Sequence, residues 1–482
     1  MAEHLDVLIV GAGISGIGAA WHLQRRCPAK SYAILEARHA IGGTWDLFRY
    51  PGVRSDSDMH TLGFPFRPWT GEKAIADGAS IRAYLEETAR AGGIDRHILF
   101  GHRAVRASWS SKQASWTVEV ETPRGRGEFT CAFLYLGSGY YDYARGYRPD
   151  WPGEADFAGR IVHPQFWPDD LDWAGKKVVV IGSGATAVTL APALAETAAR
   201  VTILQRSPSY IVSRPSRDGI AHGLRRILPA RIAASIARWK NVLLGILFFS
   251  RSRARPERVR ALLLKLVADE LPGHDIARDF APVYNPWDQR VCLVPDGDLF
   301  AAIRAGKVEM ATDTIATFTP NGIRLASGRE LEADIVVTAT GLVVKLFGGM
   351  ALSVDGAPVD VADRVGYKGM MLNDVPNLVL SFGYTNASWT LKSDLTARYV
   401  CRLLRHMDRR GLDIAVPRLP EGGVERAPIL DFTSGYVRRA VGSLPTQGTE
   451  TPWRTHQNYL KDLIALGWGT VTDAAMEFRR KG

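Results

Sequence analysis

The hydrophobic positions of this chain fall into two similar blocks. In the first, the run Val7-Leu-Ile-Val10 breaks into Gly11, Gly13 and Gly16, and a second run, Tyr32-Ala-Ile-Leu35, closes on Glu36. In the second, Val178-Val-Val-Ile181 breaks into Gly182, Gly184 and Ala187, and Val201-Thr-Ile-Leu204 closes on Gln205 and Arg206. Short continuous apolar runs that end in glycine predict parallel strands buried on both faces, each followed by a helix. Two further runs, Phe133–Leu136 before Gly137-Ser-Gly139 and Ile335–Thr338 before Ala-Thr340-Gly341, read as strands that close each block. Between Arg214 and Val283 the pattern changes to helical spacing with basic faces, interrupted at Pro229, Pro256 and Pro272. The predicted fold class is α/β, with two Rossmann-like dinucleotide-binding domains and a helical subdomain inserted in the second.

Composition changes this picture little. A chain of 482 residues has room for about three domains, and 46% hydrophobic with 23% charged residues is ordinary for a globular protein. The longest uncharged apolar stretch, Val242 to Phe249, is far short of the ~20 residues that span a bilayer, and the first strand begins too early to leave room for a signal peptide. Cys27, Cys131, Cys292 and Cys401 are far apart and form no CxxC pair. That excludes a redox dithiol of the disulfide-reductase kind and fits a reducing, cytoplasmic setting. No metal site is expected.

Charge changes it more. Residues 214–265 hold 13 Lys and Arg against 2 Asp and Glu, more than the net +10 of the whole chain. The basicity therefore belongs to the helical insert, and no nucleic-acid module accompanies it. The insert also carries Leu243, Leu244, Ile246, Leu247, Phe248 and Phe249. Two readings stay open: a lid whose apolar side covers a substrate channel, or a peripheral contact of residues 214–265 with an anionic inner-membrane surface.

The glycine loops carry the first chemistry. Gly11 permits a tight turn, Gly13 lets the backbone approach a pyrophosphate, and Gly16 lets helix and strand pack. Glu36 stands where an acid bonds a ribose 2′-hydroxyl, which suits the unphosphorylated ribose of FAD. In the second loop Arg206 replaces that acid, and a cation there suits the 2′-phosphate of NADPH. The expected domains are 1–145 with 342–482 for FAD and 146–341 for NADPH, with the insert at 214–283. Residues 42–56, with Gly43, Thr44, Trp45, Tyr50, Pro51, Gly52 and Asp56, read as an aromatic loop. It either covers the flavin ring or, for Trp45, simply packs in the core. Thr340 and Gly341 close a DxxxxATG run that returns the chain to the first domain, and Gly383–Trp389 reads as a loop beside the flavin that leads into a helix over 391–406.

Between the two loops stands Phe157-x-Gly159-x-x-x-His163-x-x-x-Trp167-Pro168. This FxGxxxHxxxWP linker, placed between two dinucleotide loops, resembles the fingerprint of the type I Baeyer–Villiger monooxygenases. Sister flavin monooxygenases usually end the motif with Tyr or Phe and a basic residue, so Pro168 favours the former. The runs GGTWDLFRYPG, GSGATAVTL, YNPWDQR, VTATGL and GYTNASWTLK extend the resemblance over nearly the whole chain. It implies an enzyme that uses FAD, NADPH and O2 to turn a lipophilic ketone into an ester or lactone through a C4a-peroxyflavin. The alternative is oxygenation of sulfides, thioamides or amines by the same species. In the family an arginine follows the helical insert; it matches Arg290, preceded here by Gln289 where Lys is common. The loop aspartate matches Asp56. The resemblance implies that Arg290 is the catalytic cation and that His163 is a hinge residue rather than a base, although a merely structural linker stays open. Asp56 is expected to orient Arg290 by a bidentate pair in a dry site, the alternative being a plain exposed salt bridge.

Overall fold

The computed structural model describes residues 3–430 and 432–482. Residues 1 and 2, at the head of the expected FAD segment, and Asp431, inside it, lie outside the described residues. Two sheets organise the molecule. The larger has nine strands and a parallel centre in which Glu3–Val10 lies between Tyr32–Glu36 and the long strand Gly125–Leu136. A meander, Arg103–Ser110 and Ser115–Thr122, pairs antiparallel onto the long strand, and Leu378–Leu380 pairs parallel to its end. The smaller sheet is wholly parallel, with Lys177–Ile181 between Arg200–Gln205 and Ile335–Thr338.

The predicted repeat is present in register. Val10 pairs with Leu35 on one side and Leu136 on the other, just as Ile181 pairs with Leu204 and Thr338. Val7, Leu8 and Ile9 are fully buried, as are Val178 to Val180 to within 1%. Helices cover one face of each sheet, Ile14–Arg26 and Trp389–Arg410 on the larger and Ala185–Leu194 on the smaller, while further strands pack on the other. Burial on both faces is why these sequences are continuous in Val, Ile and Leu rather than alternating.

Two short strands, Tyr141–Gly146 and Leu342–Val344, pair antiparallel with each other and carry the chain between the sheets. The insert is helical: Gly219–Ile227, Ala230–Ala254, Pro256–Glu270 and Ile276–Asp279 lie between two strands, Ile211–Arg214 and Cys292–Pro295, that pair parallel. Pro229 caps the long helix and Pro256 opens the next, positions that need no amide hydrogen.

Two sequence expectations need correction. The aromatic loop contains one helical turn, Thr44–Leu47, and the C-terminal helix runs over Trp389–Arg410 rather than 391–406. A third concerns hydropathy. The helix Ala230–Ala254 is long and apolar enough to cross a membrane by length and composition, because such a window tolerates two charges. Both central charges are held by the protein. Arg238 donates to the carbonyls of His60 (3.0 Å) and Gly63 (2.8 Å), and Lys240 to Asp218 (2.6 Å).

Candidate active site

Each glycine loop sets its helix with an open N-terminus. Ile14–Arg26 and Ala185–Leu194 begin at Gly13 and Gly184 with no side-chain cap, so their first amides face outward as donors. The glycines serve different ends. A Cβ on Gly11 would stand 2.6 Å from the Gly137 carbonyl oxygen, and one on Gly16 only 1.9 Å from that of Gly11. The protein itself forbids side chains there. At Gly13 a Cβ would meet nothing nearer than 3.7 Å, and at Gly184 nothing within 4 Å. Neither has a positive φ. No close neighbour among the described residues requires glycine at these two positions, and both leave the backbone open to close approach from outside. Ala187 is fully buried, in the place of a third glycine.

Glu36 is 5% exposed and accepts from the amides of Ala12 (2.8 Å) and Arg38 (2.9 Å). Burial pushes its pKa up against those two bonds. A carboxylate has about four lone-pair sites, so accepting from a ribose hydroxyl is still open to it. Arg206, at the matching position after the second block, is exposed and pairs with no carboxylate among the described residues. Gly43, with Gly42 in a positive-φ turn, brings the aromatic loop against Gly13, and Thr44 lies 3.5 Å from the Tyr143 hydroxyl. Trp45 is half-buried against the hydrophobic core.

Asp56 and Arg290, 234 residues apart, form an ion pair. Asp56 raises the pKa of Arg290 further above its usual range. The expected bidentate geometry is not found. Nη1 meets Asp56 Oδ2, while Nη2 donates to the Thr385 carbonyl at 3.3 Å. Nor is the pair sealed: the two side chains are 39% and 35% exposed. One guanidinium edge is thus fixed by a loop from each of two distant segments.

The sequence did not point to the tyrosines around this cation. Tyr140, Tyr141 and Tyr436 lie within electrostatic reach of it, and the hydroxyls of Tyr140 and Tyr141 are 2.6 Å apart. Tyr140 stacks on Trp389 (5.2 Å, 9°), whose indole donates to Ser15 in the first glycine helix at 2.8 Å. A chain of contacts therefore runs from the first glycine helix to Tyr140, which stands within electrostatic reach of Arg290. The pair Tyr140-Tyr141 directly follows Gly137-Ser-Gly139, the one signal that marks it; nothing marks Tyr436.

The linker motif divides. Phe157 is buried edge-on to Phe318, and a Cβ on Gly159 would stand 2.3 Å from the Asp334 carbonyl, so both serve packing. Trp167 sits edge-on to Trp173 against the core of the smaller sheet, and the Pro168 carbonyl accepts from Leu171. His163 lies at the crossing itself. Its Nδ1 accepts from the Gln165 amide (3.2 Å), which leaves Nε2 as the donor to the Gly341 carbonyl (3.3 Å). Thr340 donates to the Tyr147 carbonyl at 2.6 Å. Thr340 and Gly341 thus stitch together the two strands between the sheets.

The long insert helix closes over these loops. Its inner face places Val242 and Ile246 with Tyr384 and Leu391, and Phe248 and Phe249 edge-on to Trp287. Asn241 donates to Asp58, two residues beyond Asp56.

Known proteins share this arrangement. Residues 9–71 match the model of the NAD(P)-binding Rossmann-like domain, and residues 75–244 that of flavin-binding monooxygenase-like proteins. The chain is 57% identical to the FAD-containing monooxygenase EthA of Mycobacterium tuberculosis, covering 100% of this chain and 99% of that one. It is 49% identical to the putative FAD-containing monooxygenase MymA of the same species, over 99% and 98%. Among solved structures, a steroid monooxygenase bound to NADP (22% identity, TM-score 0.77) and cyclohexanone monooxygenase (20%, 0.77) each cover 99% of this chain and are themselves matched over their full length. At those identities they show the shared fold. The chain belongs to the family of FAD-containing, flavin-binding monooxygenases.

Proposed function

We propose that this flavin monooxygenase is of the Baeyer–Villiger type, oxygenating lipophilic ketones to esters or lactones with NADPH and O2. The fixed Arg290–Asp56 pair, within electrostatic reach of the Tyr140 that ends the Ser15–Trp389–Tyr140 contact chain, carries this reading. We assign the larger sheet, from 1–145 and 342–482, to FAD and the smaller, from 146–341, to NADPH. Gly11, Gly13, Gly16, Glu36, Gly43, Thr44 and Trp45 would hold FAD, and Gly182, Gly184, Ala187 and Arg206 would hold NADPH. When bound, the flavin accepts hydride from NADPH and activates O2.

Insertion of oxygen beside a carbonyl builds negative charge on the carbonyl oxygen. A guanidinium is suited to that charge because it is always cationic and gives up no proton. Asp56 raises its pKa further, and the Thr385 carbonyl fixes the plane of the group. The insert helix, with Val242 against Tyr384 and Leu391 and Phe249 against Trp287, narrows the access of water that would divert the oxygen to H2O2. Exposed and meeting no carboxylate among the described residues, Arg206 supports NADPH over NADH. All four cysteines are free and buried, which supports a reducing, cytoplasmic setting.

Oxygenation at sulfur or nitrogen, of sulfides, thioamides or amines, is the alternative within the same family. It develops no carbonyl oxyanion and so needs Arg290 far less. The test is product analysis by mass spectrometry with labelled O2 and NADPH over linear, cyclic and aryl ketones and sulfides. Label in an ester or lactone is expected. Label in sulfoxide or N-oxide alone would replace this reading with the alternative.

A further inference from the structure

The helical insert has an outer face that the site does not use. Ile232, Ile236, Trp239, Leu243 and Leu247 recur along one stripe of the long helix, each 37–51% exposed. Beside the start of this stripe opens a cleft of about 860 Å³ between the insert and the far end of the first glycine helix. Five arginines line it: Arg25, Arg26, Arg231, Arg238 and Arg405. No Asp or Glu among the described residues lines it. Arg238 is spent on backbone carbonyls, but Arg25, Arg231 and Arg405 meet no carboxylate among the described residues. The wall is aromatic: Trp21 stacks on Phe66 at 3.7 Å, Arg25 lies 5.7 Å from the Trp21 ring, and Trp69 completes it.

Like charges gathered in one cleft repel, and an anion relieves them. A free anion alone would leave the apolar stripe in water. A second copy docked through the same face, as in a twofold dimer, would set one basic insert against another. An anionic bilayer meets both demands. Phosphate satisfies the arginines, tryptophans sit at the boundary between headgroups and acyl chains, and the stripe enters the acyl layer. Arg238, Asn241 and Val242 hold the helix on the protein, so it lies along the surface and does not cross.

We propose that this face docks on anionic lipid, with the arginine cleft as the site for a headgroup phosphate. The proposal is independent of which atom the enzyme oxygenates. It is tested on the FAD-loaded enzyme by co-sedimentation with phosphatidylcholine vesicles, with and without phosphatidylglycerol. NADPH oxidation in the same samples reports an intact fold. Binding is expected only to the anionic vesicles, and high salt should release it. Each arginine removed should weaken binding about fivefold, so Arg25→Ala, Arg231→Ala and Arg405→Ala together should cost roughly 100-fold. Arg25→Ala alone serves if the triple variant loses NADPH oxidation. Leu243→Ser with Leu247→Ser should weaken binding in its own right. No binding to anionic vesicles at low salt, or binding unchanged by the arginine variants, would overturn the proposal. So would sodium phosphate displacing the enzyme far better than sodium chloride of equal ionic strength, which would assign the cleft to free phosphate. Self-association abolished by the Leu243 and Leu247 changes would assign the face to a second copy.

Discussion

A glycine is required either by its own chain or by what the chain holds, and the first loop contains both kinds. Gly16→Ala would drive a methyl group into the Gly11 carbonyl, whereas Gly13→Ala meets only ordinary contact distances. We expect Gly16→Ala to unfold the N-terminal unit. Gly13→Ala should fold with a near-native melting curve yet lose FAD on gel filtration; flavin retained by Gly13→Ala would refute the cofactor reading of that glycine. Arg206→Ala should erode the preference for NADPH by about 10–150-fold, the worth of a charge-assisted contact to phosphate. The ratio of kcat/KM for NADPH to that for NADH measures it, and equal kcat/KM for the two cofactors in the unchanged enzyme sinks the assignment. Arg290→Ala should still reduce its flavin with NADPH, since hydride transfer needs only alignment. Ester formation should fall by roughly 10²–10³. Stopped-flow reduction and product yield, measured together, decide between a catalytic and a merely structural arginine.

At the scale of elements, the crossing between the sheets carries a proton-sensitive contact. Burial holds the pKa of His163 below its usual value. Its Nδ1 accepts from the Gln165 amide, so a proton there would set two donors face to face. The unfolded chain takes up that proton more readily than the native one. The stability His163 contributes is therefore complete above about pH 6.5 and is lost as the pH falls below it. The melting temperature of His163→Gln should accordingly decline less steeply than wild type from about pH 7 to about pH 5; parallel curves would show that His163 is not the sensitive group. How much of this was legible depended on distance along the chain. The two blocks could be read because a strand buried on both faces has no polar positions to hide it. The insert showed itself through its period and its prolines. Asp56 and Arg290 lie 234 residues apart and emerged only through resemblance, and their bidentate geometry failed because the Thr385 carbonyl takes the second nitrogen. Tyr436 reaches the cation from beyond the C-terminal helix, a placement that no local pattern encodes.

Over the whole molecule, the aromatic loop is the piece that both sheets hold. At its start Gly43 rests on Gly13 of the larger unit. Toward its end Tyr50 is buried in the core of the smaller unit, and Arg54 pairs with Asp298 at the start of the helix Asp298–Arg304. Between them Gly52, at φ +76°, lies so close to the helix of the second glycine loop that a Cβ would stand 2.8 Å from that of Ala193 and 2.9 Å from the Thr189 carbonyl. The loop ends in Asp56, so the position of Arg290's partner depends on how the second unit seats this turn. Gly52→Ala should therefore act at a distance. The left-handed conformation alone costs a non-glycine residue about 1–2 kcal/mol, and the methyl group must push the Ala185–Leu194 helix away. FAD content should be unchanged, because the Gly13 end of the loop is untouched. KM for NADPH should rise, and a larger share of the NADPH consumed should appear as H2O2 instead of oxygenated product, because Asp56 and its arginine no longer meet in place. Simultaneous assay of NADPH, H2O2 and product in the purified variant measures that share. A variant that is less stable but fully coupled would show that the loop only fastens the two units together and does not align the site between them.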